Sequence, residues 1–181
     1  MENKDKDLSQ RVRESIREVP DFPIEGVLFK DISPLFLDPQ LVDSIRKRLI
    51  EKWSDQGITK VVGIDSRGFL FGPQMAVGLD AGFVMVRKKG KLPPETVSVS
   101  YELEYGSATL ESVVGGLELG DKVVIHDDLL ATGGTAAAAA QLIKELGGEV
   151  AGFSFLIDLS FLNGKEKLLP YSDQVDSLVV Y

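Results

Sequence analysis

The sequence predicts an α/β fold built on a central, mostly parallel sheet flanked by helices. Short apolar runs bounded by turn residues alternate with segments of helical periodicity. An alanine-rich helix closed by a glycine pair separates two such runs. A glycine-bearing loop follows one of them, as ligand loops follow strands in open parallel sheets.

The elements follow in chain order. Ser9 to Glu18 suits a short helix ahead of Pro20. PDFPIEGVLFKDISPLF, with its prolines and glycine, reads as an ordered loop with apolar anchors. Asp38 followed by Pro39 is a cap and a first-turn proline. Leu41, Val42, Ile45, Leu49 and Trp53 then recur at helical spacing. KVVGID is a short buried strand, Gly68 to Leu79 a helix or loop-helix, and FVMVRK a second strand. TVSVSYELEYGSATLE, Thr96 to Glu111, alternates and reads as two strands with a turn near Gly106. Val123 to Ile125 is a further strand, Gly134 to Leu146 the alanine-rich helix, Val150 to Ile157 another strand, and Ser177 to Tyr181 a last one. The chain of 181 residues is long enough for one domain with a core, taken as 1–181.

Composition narrows the function classes. The chain carries a net charge of -8, which argues against general nucleic-acid binding. It has no cysteine, so disulfides and thiolate metal sites are excluded. MENKDKDLSQ has no apolar run of the signal-peptide kind, and no stretch suits a bilayer crossing. The expectation is a cytoplasmic protein without a membrane or nucleic-acid partner.

HDDLLATGGT carries the most chemistry. The amides of Ala131, Thr132, Gly133, Gly134 and Thr135, the two threonine hydroxyls and the following helix start all favour an anion. No lysine completes a nucleotide-phosphate loop, so one terminal phosphate is expected. Asp127 and Asp128 would repel that phosphate and must face something else. Carboxylates accept hydrogen bonds, and a sugar diol donates them. A ribose 5-phosphate satisfies both halves, with magnesium nearby as a further reason for two acids. An acidic strand end followed by a glycine turn is the plain alternative.

Other segments leave their roles open. Asp65, Ser66 and Arg67 follow a strand directly. Arg67 suits a forked grip on pyrophosphate, and an ordinary strand-to-helix turn suits the residues equally. Arg87, Lys88, Lys89 and Lys91 form a basic run in an acidic protein, though such runs are usually solvated. VSYELEYG reads from its pattern as a polar-faced hairpin. Phe29 suits a core anchor. His126, the sole histidine, falls by alternation on the face opposite Asp127 and is read as structural.

DDLLATGGT resembles the phosphoribosyl pyrophosphate signature of type I phosphoribosyltransferases. PDFPIEGVLFKDISP, GIDSRGFLFGP, VRKKGKLP, SYELEYG and LNGKEKL resemble, in order, the branch of that family that takes adenine. The resemblance runs from about Val19 onward. It implies the family's fold, with a small hood from about 19–37 and the C-terminal part, and a flexible β flap over about 95–112. It implies purine salvage: transfer of a phosphoribosyl group to adenine, giving AMP and pyrophosphate. Asp127, Asp128 and the 131–135 loop would bind phosphoribosyl. Asp65, Ser66, Arg67, Arg87, Lys88 and Lys91 would bind pyrophosphate, with a cis peptide near Asp65-Ser66 and Arg87 acting across a homodimer interface. Backbone at Leu28 and Lys30 would read adenine, stacked between Phe29 and Leu159. Glu104 would exchange the purine proton, with Tyr105 beside it in the flap. Magnesium would be held mainly by substrate and water. A 6-oxopurine substrate and a non-catalytic phosphoribosyl pyrophosphate sensor are the competing readings. His126 stands where the family usually has an apolar residue.

Overall fold

The computed structural model describes residues 2–102 and 107–181. By its internal contacts the chain divides into two compact units, 1–49 and 50–181, where the sequence suggests one domain.

The first unit opens with α1, Glu2–Ser15. Leu8, Val12 and Ile16 are buried at four-residue spacing, which accounts for the helix. It starts earlier than expected because Glu and Lys in its first turns are good helix formers. It also stops earlier. Arg17–Pro20 forms strand β1, which pairs antiparallel with β2, Leu28–Asp31. The segment read as a loop therefore contains a strand, because its ladder partner lies across a turn that local pattern does not reveal. Within that turn Phe22-Pro23 is cis, and Asp21 Oδ1 accepts the Gly26 N–H at 2.8 Å. A 3-10 helix, Ser33–Leu37, leads to α2, Pro39–Trp53. Asp38 caps α2 as expected: its Oδ1 accepts from the N–H groups of Gln40 at 2.9 Å and Leu41 at 3.1 Å. Leu41, Ile45, Leu49 and Trp53 are all buried along one stripe. The division between units falls inside α2.

The second unit is a seven-stranded sheet. Its strands are β3 (Lys60–Ile64), β4 (Gly82–Lys88), β5 (Thr96–Glu102), β6 (Ser107–Val113), β7 (Lys122–Leu130), β8 (Glu149–Asp158) and β9 (Val175–Val180). The order is β5-β6-β4-β3-β7-β8-β9. The five strands from β4 to β9 pair in parallel, and β6 and β5 add an antiparallel edge. Helix α3, Gly72–Gly78, lies between β3 and β4 in sequence, and α4, Gly134–Glu145, between β7 and β8.

α4 buries Ala136, Ala138, Ala139, Ala140, Leu142 and Ile143. They form one core with Val62, Ile64, Val123, Ile125, Phe153 and Phe155 of the sheet. Small alanines let this helix lie close to the strands. β7 runs well beyond the apolar stretch that announces it. It continues through His126, Asp127 and Asp128 to Leu130, whose ladder partner is Asp158.

After β3 the chain moves outward to β4, then returns to place β7 on the other side of β3. The loops after β3 and β7 therefore part in opposite directions. Open α/β sheets bind ligands in the crevice such a switch creates.

Candidate active site

That crevice holds a pocket of about 560 Å³, part of it open to solvent, lined by Arg67, Phe155 and the run from Asp127 to Ala136. Every residue expected to bind phosphoribosyl lines it. Gly133 adopts φ +78, and α4 starts at Gly134 with no side-chain cap among the described residues. Its first amides are left for an anion.

Gly133 and Gly164 make the loop's shape. Gly164 begins the 3-10 helix Gly164–Lys167, in the LNGKEKL segment. A Cβ on Gly164 would meet the Ala131 carbonyl oxygen at 2.1 Å. Gly68, after β3, presses on β7 in the same way: its Cβ would meet the His126 carbonyl oxygen at 2.6 Å. None of these non-local approaches shows in the local pattern around the loop. Nor does the Tyr101 hydroxyl, 3.1 Å from Thr135 Oγ1, which ties β5 to the loop.

Asp128 is buried and Asp127 half-buried at the end of β7. Asp127 Oδ1 accepts the Asp128 N–H at 2.9 Å. Arg67 Nε lies 3.0 Å from Asp128 Oδ2 as an ion pair, off the line of a hydrogen bond, and that oxygen has no hydrogen-bond partner among the described residues. Burial, then the Asp128 charge, push the Asp127 carboxyl well above its ordinary range. Burial also raises Asp128, with Arg67 opposing it. The pair is thus short of positive charge and of hydrogen-bond donors.

The Asp65-Ser66 peptide is cis, as expected. Asp65 Oδ2 sits 3.2 Å from both Arg87 Nε and Lys91 Nζ. Arg87 Nη1 also donates to the Lys91 carbonyl at 3.0 Å. Burial acts to raise the Asp65 pKa, but the Lys91 and Arg87 hydrogen bonds outweigh it and leave the carboxyl below its ordinary value. Ser66 and Lys88 are exposed. So the structure joins Asp65, Arg87 and Lys91 in one cluster and turns Arg67 to Asp128 instead.

The residues expected at the base fall in separate units. In the first, Phe29 is half-buried on β2, edge-to-face with Phe22 at 5.1 Å between ring centres. Leu28 is exposed, and Lys30 is buried in an ion pair with Glu18. In the second, Leu159 follows β8 and donates its N–H to the Leu130 carbonyl at 2.9 Å. Glu104, Tyr105 and the turn near Gly106 lie outside the described residues. His126 is fully buried, with Nδ1 3.0 Å from the Ser154 carbonyl. It shares a face of β7 with Asp128, away from Asp127, in keeping with a structural role.

The chain matches the family model described as phosphoribosyl transferase domain over residues 36–177. It is 51% identical over 157 residues to an adenine phosphoribosyltransferase of Shewanella amazonensis, covering 87% of each chain. A crystal structure of adenine phosphoribosyltransferase from Rhodothermus marinus superposes with a TM-score of 0.92 at 48% identity, over 97% of this chain and 99% of that one. The Saccharomyces cerevisiae enzyme, solved with adenine and an imino-altritol bisphosphate, gives 0.88 at 40% identity, over 96% and 99%.

Proposed function

This chain belongs to the phosphoribosyl transferase family, in the branch of the adenine phosphoribosyltransferases, and from that premise we propose that it converts adenine and phosphoribosyl pyrophosphate to AMP and pyrophosphate in purine salvage. The bond from the anomeric carbon to pyrophosphate breaks, a bond to a purine ring nitrogen forms, and that nitrogen releases its proton. The observation that carries the reading is the acid pair Asp127–Asp128 opening into the same pocket as the 131–135 amides.

The amides of Ala131 to Thr135 hold the 5-phosphate. Asp127 and Asp128 accept from the ribose hydroxyls. Their unmet need for positive charge is answered best when the sugar becomes cationic, so they favour the transition state over the ground state. Arg67, beside Asp128, faces the bond that breaks. Asp65, Ser66, Arg87, Lys88 and Lys91 serve pyrophosphate. In the free chain Asp65 holds Lys91 ready, so its placement costs little when the ligand arrives. Leu28, Phe29, Lys30 and Leu159 serve the base. Glu104 takes the purine proton, and Tyr105 helps exclude water.

Magnesium fits this site as a substrate-borne ion. Among the described residues no group of three acids or histidines is placed to hold a metal. The donors present are two adjacent carboxylates, one with an oxygen that accepts no hydrogen bond among the described residues. Such a set suits an ion whose other ligands are phosphate oxygens, hydroxyls and water. Bound there, it would supply positive charge to offset the charge growing on pyrophosphate.

The enzyme is expected to act in the cytoplasm as a homodimer, with Arg87 serving the neighbouring subunit; no described helix is long and apolar enough to cross a membrane. The test is pyrophosphate release on mixing the protein with phosphoribosyl pyrophosphate, magnesium and a panel of bases. Release with adenine and not with hypoxanthine, guanine or xanthine supports the reading. Preference for a 6-oxopurine, or no release with any base, overturns it.

A further inference from the structure

We propose that Glu111 is a positioning residue for pyrophosphate: its buried carboxylate fixes the backbone turn from which Lys91 reaches inward. The inference rests on the phosphoribosyl-transfer reading and adds a residue to it. Glu111 lies on β6, directly opposite Arg87 of β4 in the ladder, and is 4% exposed. Its Oε1 accepts the N–H groups of Gly90, Lys91 and Leu92, each at 3.0 Å. Three successive amides converging on one oxygen form an anion nest, filled here by the chain's own carboxylate. Gly90 holds φ +85 to make the turn, and Lys89 N–H is anchored on the Thr109 carbonyl at 3.0 Å.

The turn sets both cations that meet Asp65. Lys91 Nζ leaves from it, and the Lys91 carbonyl receives Arg87 Nη1. A segment carrying Arg87, Lys88, Lys89 and Lys91 repels itself. A buried anion at its centre offsets that repulsion and fixes the turn in advance. The ordering cost is then met in folding rather than when the ligand binds. An apolar residue at 111 would pack the base of the β5–β6 pair but would leave three amides unclaimed.

The test measures pyrophosphate and AMP affinity separately by calorimetry, with magnesium, for the wild type, Glu111→Gln, Lys91→Ala and the double variant. AMP fills the sugar and base positions without needing the 87–91 turn. Glu111→Gln is expected to weaken pyrophosphate about tenfold, leave AMP unchanged, and add less once Lys91 is alanine, since only the Arg87 contact with the turn's backbone then remains. Equal losses for AMP and pyrophosphate, or an undiminished Glu111→Gln penalty in the Lys91→Ala background, overturn the proposal. Lys91→Ala leaves the backbone of the turn in place, so it reads the lysine's own share even if Glu111→Gln does not fold. Unchanged pyrophosphate affinity there removes the role of Lys91 on which the proposal stands and also overturns it. A wild type that binds neither ligand marks failure of the enzyme reading itself, and the proposal falls with it.

Discussion

Gly133 and Gly164 pass each other with no room for a side chain: a Cβ on Gly133 would lie 2.3 Å from the Gly164 carbonyl oxygen. The phosphate loop thus rests on a segment about thirty residues further along the chain. Gly164→Ala would drive its methyl into the Ala131 carbonyl oxygen, and backbone cannot yield as a flexible side chain can. We expect AMP affinity to fall at least about tenfold, with a smaller loss of thermal stability. Calorimetry with AMP, beside a melting curve, checks both.

Asp128 and His126 occupy one face of one strand and differ in what they meet. Asp128 faces Arg67 and the pocket; His126 is sealed under the sheet against Ser154. Asp128→Asn is expected to cut turnover by about a hundredfold or more, since it removes charge where the sugar becomes cationic. His126→Val should stay within about threefold, because it touches no ligand and keeps an apolar volume. Steady-state rates at saturating adenine decide. Equal losses would mean that the acid pair has no special part.

Tyr101 joins β5 to the loop through Thr135. Tyr101→Phe removes one neutral hydrogen bond, about 1 kcal/mol. It frees the Thr135 hydroxyl, which lies in the loop whose amides the proposed function assigns to phosphate. We expect a slightly lower melting temperature in the free protein and an unchanged one with saturating AMP, where the phosphate replaces the lost partner. Scanning calorimetry with and without AMP measures the difference.

What the sequence disclosed depended on how local the cause was. α2 was readable because Asp38, Pro39 and the Leu41-to-Trp53 stripe are all near neighbours in sequence. β1 and β2 were not, since each is a strand only through the other. β7 looked three residues long because its apolar run gives way to His126, Asp127 and Asp128. The strand continues because β8 supplies a ladder for it, and acids placed on a buried strand are the local inconsistency a functional site imposes. The loop after β7 could be read from its glycines and threonines, which carry their chemistry in their own backbone and hydroxyls. Glu111, Gly68 and Gly164 could not, because each acts on a segment distant in sequence.

His126 also makes acid stability readable at a single residue. Burial lowers its pKa from 6.5 to about 4, against the opposing pull of the Ser154 carbonyl. The unfolded chain binds the proton more readily than the folded one between those values, so stability falls as pH drops from about 6.5 towards 4. The full loss at pH 4 is about 3 kcal/mol. Asp127 and Asp128 act in the opposite sense. Their raised folded pKa values mean that stability falls as pH rises from the unfolded carboxylate value through the folded ones. The two effects overlap, so the wild-type curve alone does not separate them, but its difference from His126→Val does. That difference is expected to be small at pH 7.5, because the variant loses one hydrogen bond and also loses a buried nitrogen, Nε2, that has no partner among the described residues. It should grow in the variant's favour by about 3 kcal/mol by pH 4. Urea unfolding of both proteins across this range measures it, and the lone imidazole gives an NMR signal that needs no assignment. Parallel curves, or an imidazole titrating near 6.5 in the folded protein, would show that His126 is not sealed under the sheet.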